Sequence, residues 1–139
     1  MKNILILILV GISNIIFAQN TTKLSGKIVD ENLNCLFGVI ITNLNSGEQV
    51  LSDKNGRFEI KVTNNDSLEF RTVGLTTEKI KIKKSTNTVN LILISKKVNC
   101  LGALWTEKQY RKANREIEKQ LRKLYKIAKK QDIWNKNCC

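Results

Sequence analysis

Apolar and polar residues alternate through the central part of the chain, which is the pattern of strands with one buried face. In residues 57–62 the side chains of Phe58, Ile60 and Val62 alternate with three charged residues. Because successive side chains of a strand point to opposite faces, this pattern predicts a half-buried strand. The preceding residues 53–56, Asp-Lys-Asn-Gly, are typical of a tight turn. We therefore predict a β-hairpin around residues 53–56.

Six further short segments with strand-like patterns lie between the N-terminal region and residue 95. Turn-forming residues separate them at intervals of roughly 8–12 residues, a spacing typical of a sandwich or a barrel. The predicted fold is an all-β sandwich of seven strands followed by a long amphipathic α-helix. The predicted strands cover Thr22–Val29, Phe37–Thr42, Gln49–Ser52, residues 57–62, residues 67–71, Glu78–Lys83 and Asn87–Ser95.

One apolar face of each strand is predicted to form the core of this sandwich. Its members are Leu24, Ile28, Val39, Ile41, Phe58, Ile60, Leu68, Phe70, Ile80, Ile82, Val89, Leu91 and Leu93.

A helical pattern follows the strands. Thr106 has Gln109 three residues on, the spacing of a capping box, and apolar residues then recur every three or four positions to about Ile133. This apolar stripe consists of Tyr110, Ala113, Ile117, Leu121, Leu124 and Ala128. The last predicted strand also carries Ile92 and Ile94 on the face opposite to its core residues. Because these residues are apolar, another element is expected to bury that face. We predict that the helix packs over it, with hinge contacts from Val98, Leu101, Leu104 and Trp105.

The N-terminus has the pattern of an export signal. Lys2 precedes the apolar residues 4–17, and Ala18-Gln19 follows as a candidate cleavage point. The apolar run is shorter than the roughly 20 residues of a membrane span, although an uncleaved anchor is an alternative. The predicted location is the periplasm, the outer-membrane periphery or the extracellular space. The chain then divides into residues 1–19 (signal), 20–95 (sandwich), 96–105 (linker), 106–134 (helix) and 135–139 (tail).

Positive charge is concentrated in the C-terminal third. Residues 96–139 carry 13 basic and 4 acidic residues, whereas residues 20–95 carry 10 and 8. This asymmetry predicts that the helix binds an envelope protein or an anionic surface, such as lipid or lipopolysaccharide headgroups. Nucleic acid is disfavoured by the export signal, and a merely solvated helix face is the alternative. The candidate binding residues are Lys112, Arg115, Lys119, Arg122, Lys123, Lys126, Lys129 and Lys130.

The chain contains no histidine, which removes the commonest general base and metal ligand. We predict no catalytic residues, no cofactor and no metal site. The run Asp53-x-Asn55-Gly56 resembles the start of a calcium loop but lacks the further ligands, so a turn is favoured.

The four cysteines, Cys35, Cys100, Cys138 and Cys139, favour disulfides in an exported protein. A straight helix from Thr106 to Ile133 is about 42 Å long, whereas the flanking segments back to Cys100 and on to Cys138 together reach at most about 37 Å. A bond from Cys100 to the C-terminal pair would therefore be strained unless the helix breaks. Cys35 is therefore predicted to pair with Cys100 or with one of the C-terminal cysteines.

Several runs of the predicted sandwich resemble the carboxypeptidase-regulatory-like domain: Leu24–Asp30, Phe37–Ile41, Ser52–Phe58, Leu68–Phe70 and Val73–Leu75. The resemblance covers about residues 22 to 95 and implies a transthyretin-like sandwich of seven strands. It also implies a noncatalytic module of exported Bacteroidota proteins, without catalytic residues to carry over. The chain departs from the pattern at Cys35, where the family has proline, and at Leu75, where it has a corner tyrosine.

The combined interpretation is an exported, noncatalytic binding or assembly module of the bacterial cell envelope. The alternative is a membrane-active protein whose cationic helix inserts at anionic lipid interfaces. A hydrolase that uses lysine and serine is a third class, but the sequence nominates no residue for it.

Overall fold

The alternating segments build seven strands, and one helix follows them. The computed structural model describes residues 21–95 and 106–137. Within these ranges the strands are β1 (Thr22–Val29), β2 (Ile40–Asn43), β3 (Gln49–Leu51), β4 (Arg57–Val62), β5 (Ser67–Arg71), β6 (Glu78–Lys81) and β7 (Thr88–Ile92), and the helix is α1 (Glu107–Lys130). The predicted order of elements is therefore confirmed.

The strands form two sheets that face each other across one core. The first sheet has the order β4-β1-β7, and the second has the order β3-β2-β5-β6. Strand β1 pairs in parallel with β7 and antiparallel with β4, and the pairs of the second sheet are all antiparallel. This arrangement confirms the predicted seven-stranded sandwich.

The predicted hairpin around residues 53–56 is wrong, although its turn is present. Asp53 accepts backbone N–H groups from Asn55 and Arg57 through its carboxylate, as a tight Asp-initiated turn requires. However, β3 lies in the second sheet and β4 in the first, so the two strands do not form a ladder. The buried Ser52 explains the divergence, because its hydroxyl accepts from Val39 N–H at 2.9 Å and donates to the Leu36 carbonyl at 2.6 Å. These bonds keep the end of β3 with the second sheet while β4 joins β1.

The second strand begins later than the sequence predicts. Residues 37–39 were expected to be extended, but Gly38 has φ +72°, a conformation that glycine adopts without strain. The chain turns there, leaving Phe37 70% exposed, and β2 starts at Ile40. Strands β3, β6 and β7 likewise end one to three residues before their predicted limits.

The inner layer lies between the two sheets and matches the predicted core closely. All predicted members are buried except Ile80, which is half-buried on the edge strand β6, and Val62 is an additional buried member. The rings of Phe58 and Phe70 meet edge to face with their centroids 5.5 Å apart. Such pairs add a specific contact to the burial of their surface.

Gly26 allows the Phe58 ring to lie directly on β1. The two residues are cross-strand partners in the first sheet. A Cβ atom on Gly26 would lie 1.8 Å from the Val89 carbonyl oxygen and 2.7 Å from the Phe58 ring. Only glycine fits this position, because the fixed backbone of β7 forms one of its walls.

A second apolar layer, the outer layer, covers the other face of the first sheet. Val29, Ile92 and Ile94 are buried there beneath Ala128 of α1, with half-buried Leu121, Leu124 and Tyr125 around them. The helix therefore covers Ile92 and Ile94, as the sequence predicts. The hinge contacts expected from Val98, Leu101, Leu104 and Trp105 lie outside the described residues, as does the candidate signal segment.

Candidate functional site

Helix α1 has strong start and stop signals of its own. Thr106 caps its first turn, with the Thr106 side chain accepting from Gln109 N–H and the Gln109 side chain accepting from Thr106 N–H at 2.7 Å. This is the predicted capping box. Glu107 lies in the first turn and Lys129 and Lys130 in the last, which matches the helix dipole.

The helix ends a few residues earlier than the sequence predicts. Asp132 adopts φ +53°, Asp132 N–H donates to the Lys129 carbonyl and Ile133 N–H donates to the Ala128 carbonyl. These bonds form a Schellman motif, in which a left-handed residue ends the helix and an apolar residue follows. Aspartate can adopt the left-handed conformation that glycine usually supplies at a helix end, so the residue type did not mark this stop. The apolar Ile133 that follows it fits the helical pattern, and the predicted helix was therefore too long.

The C-terminal half of α1 is fixed on the sandwich, whereas most of its first ten residues are exposed. Ala128 is fully buried, whereas Tyr110 near the start of the helix is 55% exposed. A helix of 24 residues is about 36 Å long, and a strand of five residues such as β7 is about 17 Å long. The helix is therefore about twice as long as the strand on which it packs.

Tyr125 connects α1 to the outer edge of β7. Its hydroxyl accepts from Ile92 N–H at 3.2 Å and donates to the Asn90 carbonyl at 3.4 Å. Burial raises the pKa of this phenol, the Ile92 N–H partly opposes that shift, and the charge of Glu78 adds to it. Because β7 is an edge strand, these backbone groups would otherwise lack a partner within the sheet. Sequence analysis missed Tyr125, whose only signal was its position one residue after the stripe residue Leu124.

The segment 131–137, called the tail below, crosses from α1 over the first sheet. Lys27 on β1 is only 2% exposed, and its ammonium donates to the carbonyls of Ile133 at 2.7 Å and Lys136 at 2.6 Å. On the neighbouring strand, Arg57 donates to the Asn135 carbonyl and to the Asn137 side chain, both at 3.2 Å. Burial lowers the pKa of the Lys27 ammonium, the positive charge of Arg57 lowers it further, and Asp53 acts in the opposite direction. Two cations of the sandwich thus hold the backbone of the tail.

A cleft of about 530 Å³ opens beside the tail, between it and the outer face of the first sheet. Its charged lining residues are Lys27, Arg57, Asp53 and Glu59, and Trp134 forms one wall. The two positive and two negative charges leave it nearly neutral. Among residues 21–95 and 106–137 no cluster of three or more potential metal ligands occurs. Within these same ranges, no helix has the length and apolar character needed to cross a membrane.

All eight predicted binding cations lie on the exposed side of α1, opposite the docked stripe. We call this surface the basic face; it comprises Lys112, Arg115, Lys119, Arg122, Lys123, Lys126, Lys129 and Lys130. Arg122 lies 3.6 Å from Glu118, an exposed pair of small energetic value. The other seven cations have no carboxylate within salt-bridge distance in the described part of the chain. Helix docking thus turns a largely unneutralised row of cations toward solvent.

Cys35 is disulfide-bonded. Its backbone also forms an isolated antiparallel β-bridge with Val29 at the end of β1. Cys100, Cys138 and Cys139 lie outside the described residues, so the predicted pairing stays a prediction.

Comparisons with solved structures find chains of low sequence identity. One is a chain of the type II cohesin–X-dockerin complex of Acetivibrio cellulolyticus, with 18% identity and a TM-score of 0.46 over 60% of this chain and 64% of that chain. Another is a streptococcal ancillary pilin, with 14% identity and a TM-score of 0.39 over 56% of this chain and 33% of that chain. This chain therefore spans less than two thirds of either structure.

No curated protein matches this chain. A family model described as CarboxypepD_reg-like domain matches residues 24–103, which include β2 to β7 and all of β1 except its first two residues. Since this match spans more than half of the chain, the protein belongs to the CarboxypepD_reg-like domain family.

Proposed function

We propose that this protein is an exported, nonenzymatic binding or assembly module of the cell envelope that contacts an anionic partner through the basic face of α1. The observation that carries the proposal is the row of exposed cations opposite the docked apolar stripe. Helix α1 contains ten basic residues and three acidic ones, so its electrostatic field is strongly positive. An anionic surface or an acidic protein is the chemistry that such a field attracts.

The way the helix is held supports a binding role. The outer layer and Tyr125 fix the C-terminal half of α1, and Lys27 holds the tail that follows it, so the cations there project from a rigid element. A rigid presentation reduces the entropy lost on binding. Residues 119–130, which lie over the sandwich, are therefore the proposed centre of the contact.

Export and the absence of catalysis rest on other observations. The apolar residues 4–17 and the disulfide-bonded Cys35 support an oxidising, exported setting. The chain lacks histidine, and the cleft beside the tail is lined by two positive and two negative charges that nearly cancel. Both observations support a nonenzymatic role.

Binding of the mature, oxidised chain to defined anionic probes tests the proposal. The probes are vesicles of phosphatidylglycerol, vesicles of phosphatidylcholine, and poly-glutamate as a model of an acidic protein. We expect binding to one or both anionic probes, weak binding to phosphatidylcholine, and loss of binding in about 1 M salt, where the Debye length is about 3 Å. Absence of binding to both anionic probes at low salt would contradict the proposal.

A charge variant with a matched control locates the contact. Neutralising Lys119, Lys123 and Lys126 to Gln should weaken binding severalfold, because each removes a cation of the basic face. The control neutralises three exposed lysines of the sandwich, Lys54, Lys61 and Lys81, and changes the net charge equally. Equal weakening by both variants would show that net charge, and not the basic face, determines binding.

Membrane insertion is the second candidate function, and two exposed apolar side chains of α1 favour it. Tyr110 and Ile127 are 55% and 43% exposed, respectively. However, Leu121 and Leu124 pack on the sandwich, so insertion of the stripe requires the helix to undock. Insertion predicts vesicle binding that persists in high salt and is abolished by Leu121→Asp. Surface binding predicts that vesicle binding is lost in high salt.

A further inference from the structure

The outer face of the first sheet is apolar at one end and polar at the other. Val29 and Ile92 are register partners on β1 and β7, and both are buried in the outer layer beneath α1. Earlier along β1 and β7, the same face carries two rows of polar residues across the three strands. The strand register places Arg57, Lys27 and Asn90 in one row, and Glu59, Ser25 and Thr88 in the other. These six residues, called the polar floor below, line the cleft beside the tail.

The four charged groups of the cleft are already engaged within the protein. Lys27 and Arg57 donate to carbonyl groups of the tail. Glu59 lies 2.7 Å from the Lys23 ammonium, and the Asp53 carboxylate accepts N–H groups of its own turn. Because two positive and two negative charges line the cleft and each has a partner, its field favours neither anions nor cations. The cleft is therefore suited to an uncharged ligand.

Several hydrogen-bonding groups of the cleft are not used by the protein. Among the described residues, the hydroxyls of Ser25 and Thr88 and the indole N–H of Trp134 have no hydrogen-bond partner. Asn90 accepts from the Lys27 backbone N–H at 3.0 Å through its side-chain oxygen, which leaves its amide N–H groups for a ligand. The two hydroxyls can donate or accept, whereas the amide and indole N–H groups only donate. A ligand rich in hydroxyl groups satisfies all of them.

Trp134 adds an apolar surface to this polar cleft. Its ring is half-buried and packs against Tyr125 with the ring centroids 6.0 Å apart. Since Tyr125 is bonded to β7, the indole is held in place at the wall of the cleft. Tryptophan combines a large flat apolar surface with one polar N–H. The C–H face of a sugar ring can stack on such a surface while the hydroxyl groups of the sugar reach the polar floor.

We propose that this cleft binds a neutral carbohydrate, with one sugar ring stacked on Trp134 and hydroxyl groups bonded to Asn90, Ser25 and Thr88. The cleft volume of about 530 Å³ falls within the range of about 300–1,000 Å³ that is usual for small-molecule sites. A nucleotide would need free cations for its phosphate groups, and the tail engages both cations of the cleft. The site is separate from the basic face, so failure of vesicle binding and failure of carbohydrate binding are distinct outcomes.

Titration of the mature, oxidised chain with neutral trisaccharides tests the proposal. The probes are maltotriose, cellotriose, mannotriose and chitotriose, and trigalacturonic acid is the anionic comparison. We expect saturable heat release in calorimetry with at least one neutral probe, and the same affinity in about 1 M salt, where charge attraction is screened. No saturation with any neutral probe up to about 10 mM, tenfold above a Kd of about 1 mM, overturns the proposal. Binding of trigalacturonic acid alone also overturns it.

Tryptophan fluorescence shows whether the sugar binds in the cleft. The chain has two tryptophans, so Trp105→Phe leaves Trp134 as the single reporter. The neutral probe that binds should change the Trp134 emission with the same half-saturation as in calorimetry. Calorimetric binding by this variant with no change in its emission would place the sugar elsewhere and overturn the assignment of the cleft.

Two variants and a matched control test the residues. Trp134→Ala should abolish binding, but this ring also packs on Tyr125, so a change on the exposed floor accompanies it. The double variant Ser25→Ala with Thr88→Val removes two hydroxyls and should weaken binding about tenfold with no change in Tm. The control, Ser85→Ala with Thr77→Val, alters two exposed hydroxyls outside the cleft and should bind like the native chain. Native affinity in the Ser25 and Thr88 variant, or equal weakening in the control, overturns the proposed site.

Discussion

The two apolar layers of this protein are built differently. The inner layer contains thirteen buried apolar residues drawn from both sheets, and the rings of Phe58 and Phe70 meet edge to face. The outer layer contains four buried residues and relies on half-buried ones such as Leu121 and Leu124. It is supplemented by polar contacts from Tyr125 and Lys27. We infer that the inner layer supplies most of the stability, and that the outer layer mainly fixes the position of the helix.

Truncation in the inner layer should have the largest effect. Phe58→Ala removes a buried ring that contacts Phe70 and Gly26, and it should lower the free energy of unfolding by about 3–5 kcal/mol. Urea unfolding followed by circular dichroism measures this loss. The control Phe37→Ala removes a ring that is 70% exposed and should change stability by no more than about 0.5 kcal/mol. Similar losses in the two variants would contradict the assignment of the inner layer.

The matching truncation in the outer layer should cost less and release the helix first. Ile92→Ala leaves a gap beneath α1, which can shift to fill it, so we expect a loss of about 2 kcal/mol, at the low end for such changes. Hydrogen exchange should show faster exchange in α1 than in β1 and β4. A loss as large as that of Phe58→Ala, with all elements exchanging together, would mean that the two layers form one cooperative unit.

The two layers should also respond to opposite ends of the pH range. At the edge of the inner layer, burial opposes ionisation of Asp66, but hydrogen bonds from Thr63 and Asn43 outweigh it and lower the pKa below its ordinary value of 3.8. A carboxyl group with a lowered pKa stabilises the fold above pH 3.8, and this contribution is lost as the pH falls through the folded pKa.

Asp66→Asn tests this acid sensitivity. The side-chain amide of Asn43 and the backbone N–H of Thr63 both donate to one carboxylate oxygen of Asp66 at 2.8 Å. A neutral amide is a weaker acceptor than a carboxylate, so the substitution should cost about 1.5–2 kcal/mol at pH 7. The difference between the two chains should shrink below pH 4, as measured by urea unfolding at several pH values. A difference that stays constant down to pH 2 would refute this assignment.

Much of the inner layer could be predicted from the sequence because its information is local. Alternation identifies Phe58 and Ile60 as inward-facing whichever strand lies next to them, and the spacing of Thr106 and Gln109 identifies the helix start. The same alternation does not say which sheet a strand joins. This is why the turn at Asp53 was predicted correctly while the hairpin was wrong.

The contacts of the outer layer could not be predicted because they depend on tertiary structure. Lys27 occupies an outward position of β1, where a lysine normally faces water, and only the tail more than 100 residues later buries it. Tyr125 gave no sign that its hydroxyl would meet the edge of β7. The exposure of the eight cations of the basic face could be predicted, because the polar side of an amphipathic helix follows directly from its period of 3.6 residues.

The contact between Tyr125 and β7 tests the polar part of the outer layer. Tyr125→Phe keeps the ring and removes the hydroxyl that bonds Ile92 N–H and the Asn90 carbonyl, and should cost about 1 kcal/mol at pH 7. Because the folded pKa of this phenol is raised, its contribution is complete below pH 10 and is lost as the pH rises through the folded value. The difference from Tyr125→Phe should therefore shrink above pH 10. A difference that grows in that range would contradict the role assigned to the hydroxyl.

The smallest effect on stability should come from the surface that is proposed to bind. Lys119, Lys123 and Lys126 are exposed on the side of α1 away from both layers, so each change to Gln should alter the free energy of unfolding by about 0.5 kcal/mol or less. Repulsion among neighbouring cations at i and i+4 falls when one is neutralised, so a slight gain at low salt is expected and should vanish at high salt. Thermal unfolding of the triple variant at low and high ionic strength measures both effects. A loss of several kcal/mol would show that these lysines support the fold, and it would remove the separation between a structural outer layer and a binding surface on which the proposed function depends.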